Sequence, residues 1–159
     1  ETLSHKLAVL GAELLVDTLP KYINGEIKPK EQDHSKVTLT KLLDRHDGRI
    51  DWGRSAEEIY NQIRALNPEP GTWTIWPSSA KASEGKQDKT LNIIEVQPRY
   101  IEVEPQYDPG TVIRVDKEIA VAASKCYLIL KQIQLEGGKV MDAKSFINGH
   151  LDFLDSLLR

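Results

Sequence analysis

The stretch Ser55-Ala56-Glu57-Glu58-Ile59-Tyr60-Asn61-Gln62-Ile63-Arg64-Ala65-Leu66-Asn67-Pro68-Glu69-Pro70-Gly71-Thr72-Trp73-Thr74-Ile75-Trp76 changes period midway, and that change decides the fold class. Its first half is helical. Ser55 followed three residues later by Glu58 is a capping box, in which a hydroxyl and a carboxylate each satisfy an orphan backbone N–H. Ala56, Ile59, Ile63 and Leu66 recur at the spacing of one helical face. The helix must end near Asn67, because Pro68 and Pro70 cannot continue it and Gly71 permits a sharp reversal. Thr72 to Trp76 is then β-branched and aromatic, as strands are.

Downstream the strand signal repeats. Leu91 to Tyr100, Thr111 to Val115, Ile119 to Ala123 and Cys126 to Leu135 are apolar, β-branched runs bounded by turn residues. Ser78 to Lys89 reads as a polar hairpin loop, with later turns at Glu104 to Gly110 and at Gly137-Gly138. A short helix is expected from Ala143 to Ile147, capped by Asp142, before an apolar tail of Leu151, Phe153, Leu154, Leu157 and Leu158. Five short strands at this spacing predict a mainly β fold with helices (α+β). The expected architecture is a five-stranded, OB-like Greek-key barrel preceded by the capped helix.

Upstream, Asp47-Gly48 marks a turn into Arg49-Ile50-Asp51-Trp52, after an apolar patch at Val37, Leu39, Leu42 and Leu43. Residues 26–36 are polar apart from Ile27 and carry Pro29, so little burial offsets the entropy of ordering them; an extended linker is expected. Leu3, Leu7, Leu10 and Leu14, continued by Leu19 and Ile23, form the stripe of an N-terminal helix of about six turns that stops at Asn24-Gly25. The expected organisation is a terminal helix (1–25), a linker (26–37) and a β domain (38–159). The chain opens without a start methionine or a signal peptide and reads as a piece of something longer. The helix would then lack the body its stripe was made for, and should fray, dock on the barrel or pair with a second copy.

Composition narrows the function classes. The 159 residues suit one principal domain, no apolar run approaches a membrane span, and a single cysteine, Cys126, excludes an internal disulfide. Cys126 lies in an apolar run and reads as a core residue in a reducing compartment. A formal charge of −3 argues weakly against bulk attraction to nucleic acid, while leaving room for a local basic patch.

No catalytic constellation is visible. Neither glycine-rich phosphate loop occurs, and His5, His34, His46 and His150 are too scattered for a metal. Asp44-Arg45-His46-Asp47 could frame a general base, but no nucleophile or oxyanion donor accompanies it, and a solvated turn is the expectation. Trp52, Trp73 and Trp76 read as core more readily than as base-stacking platforms. Trp73 and Trp76, three apart on a strand, must face opposite ways, so one should be exposed or at a strand end. Two lysine groups stand out: Lys28, Lys30 and Lys36 on the linker, and Lys81, Lys86 and Lys89 on the hairpin loop. Both are diluted by acids.

Asp47-Gly48-Arg49-Ile50-Asp51-Trp52, Ser55-Ala56-Glu57-Glu58-Ile59 and Ile63 to Gly71 resemble the opening of the C-terminal domain of the methionyl-tRNA formyltransferase family. Lys6 to Leu15 is similar to the last helix of that family's catalytic domain, and Met141 to His150 to its closing helix. Glu69 departs from the pattern, standing where the family often has a large aromatic.

The resemblance implies an enzyme that moves a formyl group from 10-formyltetrahydrofolate to initiator methionyl-tRNA, in the bacterial cytoplasm or an organelle. It implies no catalytic residue and no cofactor in this part, whose partners would be the tRNA and its own N-terminal catalytic domain, with neither DNA nor membrane. By the same resemblance, positive charge for the RNA falls on Lys28, Lys30, Lys36, Lys41, Arg45 and Arg64, extended by Lys81, Lys86 and Lys89. Alternatives are the accessory barrel of a related folate-dependent or sugar-nucleotide formyltransferase, and a protein–protein interaction module.

Overall fold

A computed structural model describes residues 2–77, 88–99, 107–124 and 126–159. The chain divides into two compact units, Glu1–Leu42 and Leu43–Arg159. In the first, helix α1 (Thr2–Ile23) buries none of its residues, and Leu7, Leu10 and Leu14 are each more than half exposed. It stops where predicted, at Asn24-Gly25, with Gly25 at φ +74° in the left-handed region that glycine enters without a steric penalty. The linker is less extended than expected. His34–Lys36 forms a 3₁₀ turn because the Asp33 carboxylate accepts hydrogen bonds from the Ser35 N–H (3.0 Å) and hydroxyl (2.6 Å).

The second unit is α+β, a curled antiparallel sheet consistent with an OB-like barrel. Helix α2 (Ala56–Leu66) carries the predicted capping box, Ser55 and Glu58 serving each other's backbone N–H. It lays Ala56, Ile59, Ile63 and Leu66 into the core. Beyond it, Gly71 (φ +82°) reverses the chain into β1 (Trp73–Trp76), and the Asn67 amide donates to the Ile93 and Ile94 carbonyls to fix the helix exit against the sheet. β2 (Lys89–Arg99) pairs with β1 and, across a bulge between Ile93 and Val96, with β5 (Tyr127–Leu135). The bulge bends β2 and adds twist. β3 (Val112–Val115) and β4 (Glu118–Ala122) form a hairpin, giving the order β1-β2-β5-β4-β3. In that order β3-β4-β5 is a meander with β2 returning beside it, which is the Greek key expected.

Three features of the second unit differ from the expectation. A sixth strand, β6 (Val140–Asp142), pairs with the second half of β5 while β4 takes the first half. Its three residues are all exposed and carry no alternation, so periodicity could not mark it. The sheet is not closed by pairing of β1 with β3. Instead the tail runs between them: Asp155 and Ser156 exchange hydrogen bonds with Val112, the Leu158 N–H reaches the Gly110 carbonyl, and Arg159 and Ile75 bond mutually at 2.7 and 2.9 Å. Thirdly, Lys89 is the first residue of β2, not part of a loop. The hairpin segment 78–87, Tyr100, residues 101–106 and Lys125 lie outside the described residues.

The core is one main cluster, with Ile113, Ala120 and Ile129 forming a smaller second one. Ile59 and Ile63 meet Leu91, Ile93, Leu128, Leu130 and Ile133 of the sheet. Trp76, Phe146 and Phe153 pack near edge-on with ring centres 5.2–5.8 Å apart, so helix α3 (Ala143–Gly149, capped by Asp142) and the tail plug one end of the sheet. Cys126 is half-buried against this cluster. Trp52 is buried too, its indole N–H donating to the Thr74 hydroxyl at 3.0 Å.

Glu118 on β4 ties three elements together, accepting from Lys131 of β5 (3.4 Å) and Lys144 of α3 (2.9 Å). The Lys144 hydrogen bond, reinforced by the charges of both lysines, holds its carboxyl below the usual glutamate value. A pKa lowered by folding stabilises the protein above the unfolded-state pKa, and that share disappears as pH falls through the folded value. Glu118→Gln should therefore lower Tm at neutral pH, and the gap from the parent should close on acidification through that window. A gap constant with pH would show that the charge does not matter.

Candidate nucleic-acid interface

On the outside of the second unit, Asp44 and Asp47 cap a 3₁₀ turn, Arg45–Gly48. The Asp44 carboxylate accepts from the His46 N–H at 2.7 Å, and Asp47 from the Asp44 N–H at 3.0 Å. This is the solvated turn the sequence suggested, with both acids occupied as caps. The turn is pinned on one side by Gln62 of α2, whose amide donates to the carbonyls of Asp47 (2.8 Å) and Arg49 (3.0 Å). On the other side Arg49 makes a parallel bridge with Trp73 of β1, and the Trp73 indole N–H donates to the Arg45 carbonyl at 2.8 Å. Both guanidinium groups, Arg45 and Arg49, lie 5.7 Å from the centre of the half-buried Trp73 ring. That is cation–π range, and it holds two long side chains against one flat surface. Trp76 faces inward and Trp73 outward, as the strand parity required.

The other cations expected to meet RNA are placed as follows. Lys28, Lys30, Lys36 and Lys41 are exposed on the first unit, with Lys36 3.4 Å from the Asp33 carboxylate. Arg64 is in the last turn of α2, its Nε donating to the Asn61 side chain at 2.9 Å and its guanidinium 6.0 Å from the Tyr60 ring centre. The Lys89 ammonium is 4.9 Å from the Trp76 ring centre. Lys81 and Lys86 lie outside the described residues. Arg49 was missed by the sequence reading, although a signal existed: with Ile50 and Trp52 buried, the alternation turns Arg49 and Asp51 outward. Among the described residues no group of histidine, cysteine and acidic side chains could hold a metal, and no helix is long and apolar enough to cross a membrane.

The described residues of the second unit thus present a curled β domain with arginines gathered at an outward-facing tryptophan. The family model "Formyl transferase, C-terminal domain" matches residues 42–151, and the chain belongs to that family. Its similarity reaches further: methionyl-tRNA formyltransferases from several Streptococcus pneumoniae strains, among them Hungary19A-6 and serotype 4 TIGR4, are 40% identical over 149 residues, which is 93% of this chain and 43% of each relative. The chain thus spans less than half the length of these curated relatives. Among solved structures, HypX from Aquifex aeolicus, including its complex with tetrahydrofolic acid, superposes with TM-scores of 0.59 to 0.61 at 14% identity over 88–89% of this chain and 23–24% of HypX. At that identity the likeness concerns the fold alone.

Proposed function

We propose that this chain is the tRNA-positioning part of a methionyl-tRNA formyltransferase, holding initiator methionyl-tRNA while a separate catalytic domain transfers a formyl group from 10-formyltetrahydrofolate. The observation that carries the reading is the 40% identity to methionyl-tRNA formyltransferases across 93% of the chain. In this reading residues 1–25 end the catalytic domain, 26–37 link it, and 38–159 bind RNA in the cytoplasm or an organelle. The exposed apolar stripe of α1 supports the first assignment, since a stripe of that width belongs against a protein surface. Lys28, Lys30, Lys36, Lys41, Arg45 and Arg64, with Lys81, Lys86 and Lys89 as an extension, neutralise phosphates of the tRNA. Such contacts orient the RNA and carry little sequence information.

The test is kinetic, on the complete enzyme. Replacing Lys28, Lys30 and Lys36 together by alanine should raise KM for methionyl-tRNA roughly tenfold at moderate salt and leave kcat nearly unchanged, because phosphate contacts made equally in ground and transition states are uniform binding. An unchanged KM in the triple variant would remove these lysines from the interface.

A further inference from the structure

Arg49 belongs to two features at once. Its guanidinium lies against Trp73 beside that of Arg45, and it also lines a cleft of about 400 Å³ with Asp51, Gly53, Pro109, Leu158 and Arg159. The three arginines are exposed, and none forms an ion pair with a carboxylate among the described residues. Arg49 and Arg159 both line the cleft, and Arg45 joins Arg49 at the Trp73 ring. Like charges held that close repel, and an anion bound among them offsets the repulsion. An exposed guanidinium held beside a ring keeps N–H donors for an anion, and a guanidinium edge matches two phosphate oxygens. Asp51 also lines the cleft, its carboxylate accepting the Gly53 N–H at 2.9 Å, so the arginines outnumber one side-chain acid there. The backbone underneath is pinned at each of them: the Trp73 indole bonds the Arg45 carbonyl, Gln62 and the bridge to Trp73 hold Arg49, and mutual bonds with Ile75 hold Arg159.

We infer that Arg45, Arg49 and Arg159 form a phosphate clamp, with Trp73 as the plate that pre-orients the first two, and that it grips the RNA backbone at the cleft. This rests on the tRNA reading above and adds a site that the linker lysines do not include. Trp73 is then a positioning residue, acting through the arginines and not as a stacking platform for a base.

The experiment measures binding of an initiator tRNA transcript to the complete protein over a salt series. Arg49→Ala and Arg159→Ala should each weaken binding several-fold and reduce the slope of log affinity against log salt by about one, the signature of one lost phosphate contact. Arg49→Lys and Trp73→Leu should also weaken binding several-fold but leave the slope unchanged, because the charges remain while the flat, oriented geometry is lost. Unaltered slopes and affinities in the two alanine variants would overturn the clamp. If the triple lysine variant still loses affinity in that case, the tRNA reading stands without it; if the unaltered protein binds no tRNA at any salt, both fail. Inorganic phosphate is the second probe: Arg49-dependent phosphate binding with a tRNA slope indifferent to Arg49 would make this a free-anion site and overturn the assignment to RNA.

Discussion

Deleting residues 155–159 should abolish cooperative folding of the β domain. The segment supplies five backbone hydrogen bonds, two between Asp155 or Ser156 and Val112, one from Leu158 to Gly110 and two between Arg159 and Ile75. Each is worth about 1 kcal/mol net, and the groups left behind on β1 and β3 lose their partners. Leu158, 2% exposed, adds about 2 kcal/mol of apolar burial. Together these approach the whole stability of a small domain, about 5–15 kcal/mol. Calorimetry or thermal circular dichroism should show either no transition or a Tm lowered by more than about 20 °C. A truncated protein melting within a few degrees of the parent would mean that the tail lies on the sheet without closing it.

Gly48→Ala should be the most damaging single substitution near the candidate interface. A Cβ at Gly48 would overlap the Gly71 carbonyl oxygen, and the carbonyl carbon lies only 3.1 Å away. Both partners are backbone, one in the turn before β1 and one in the 3₁₀ turn, so no rotamer change can relieve the overlap. Overpacking of this kind costs about 3 kcal/mol, or roughly 10 °C in Tm for a domain of this size. The turn carrying Arg45 and Arg49 would have to move off Trp73, so tRNA affinity should fall with it. Gly53→Ala is the control, because its new Cβ would meet only the Asp51 side chain at 3.1 Å, which can shift. Equal stabilities of the two variants would show that the Gly48–Gly71 approach is not tight.

The Trp73 cluster was legible in part. Arg45 and Arg64 came from resemblance, and the outward turn of either Trp73 or Trp76 came from strand parity. Arg49 escaped because its place beside Trp73 depends on a partner 24 residues on, through a single parallel bridge that local periodicity cannot register.

Local chemistry in the sequence determined the elements: the Ser55–Glu58 box began α2, Pro68 to Gly71 ended it, Asn24-Gly25 stopped α1, and β-branched runs located five strands. Those signals act over a few residues, and a chain reports them wherever it goes. Only the tertiary structure decided how the sheet closes, that β5 shares one edge between β4 and β6, and which arginines share an indole. Each of these pairs backbone or side chains far apart in sequence, where contact depends on the summed burial of a whole core and leaves no trace in any one stretch.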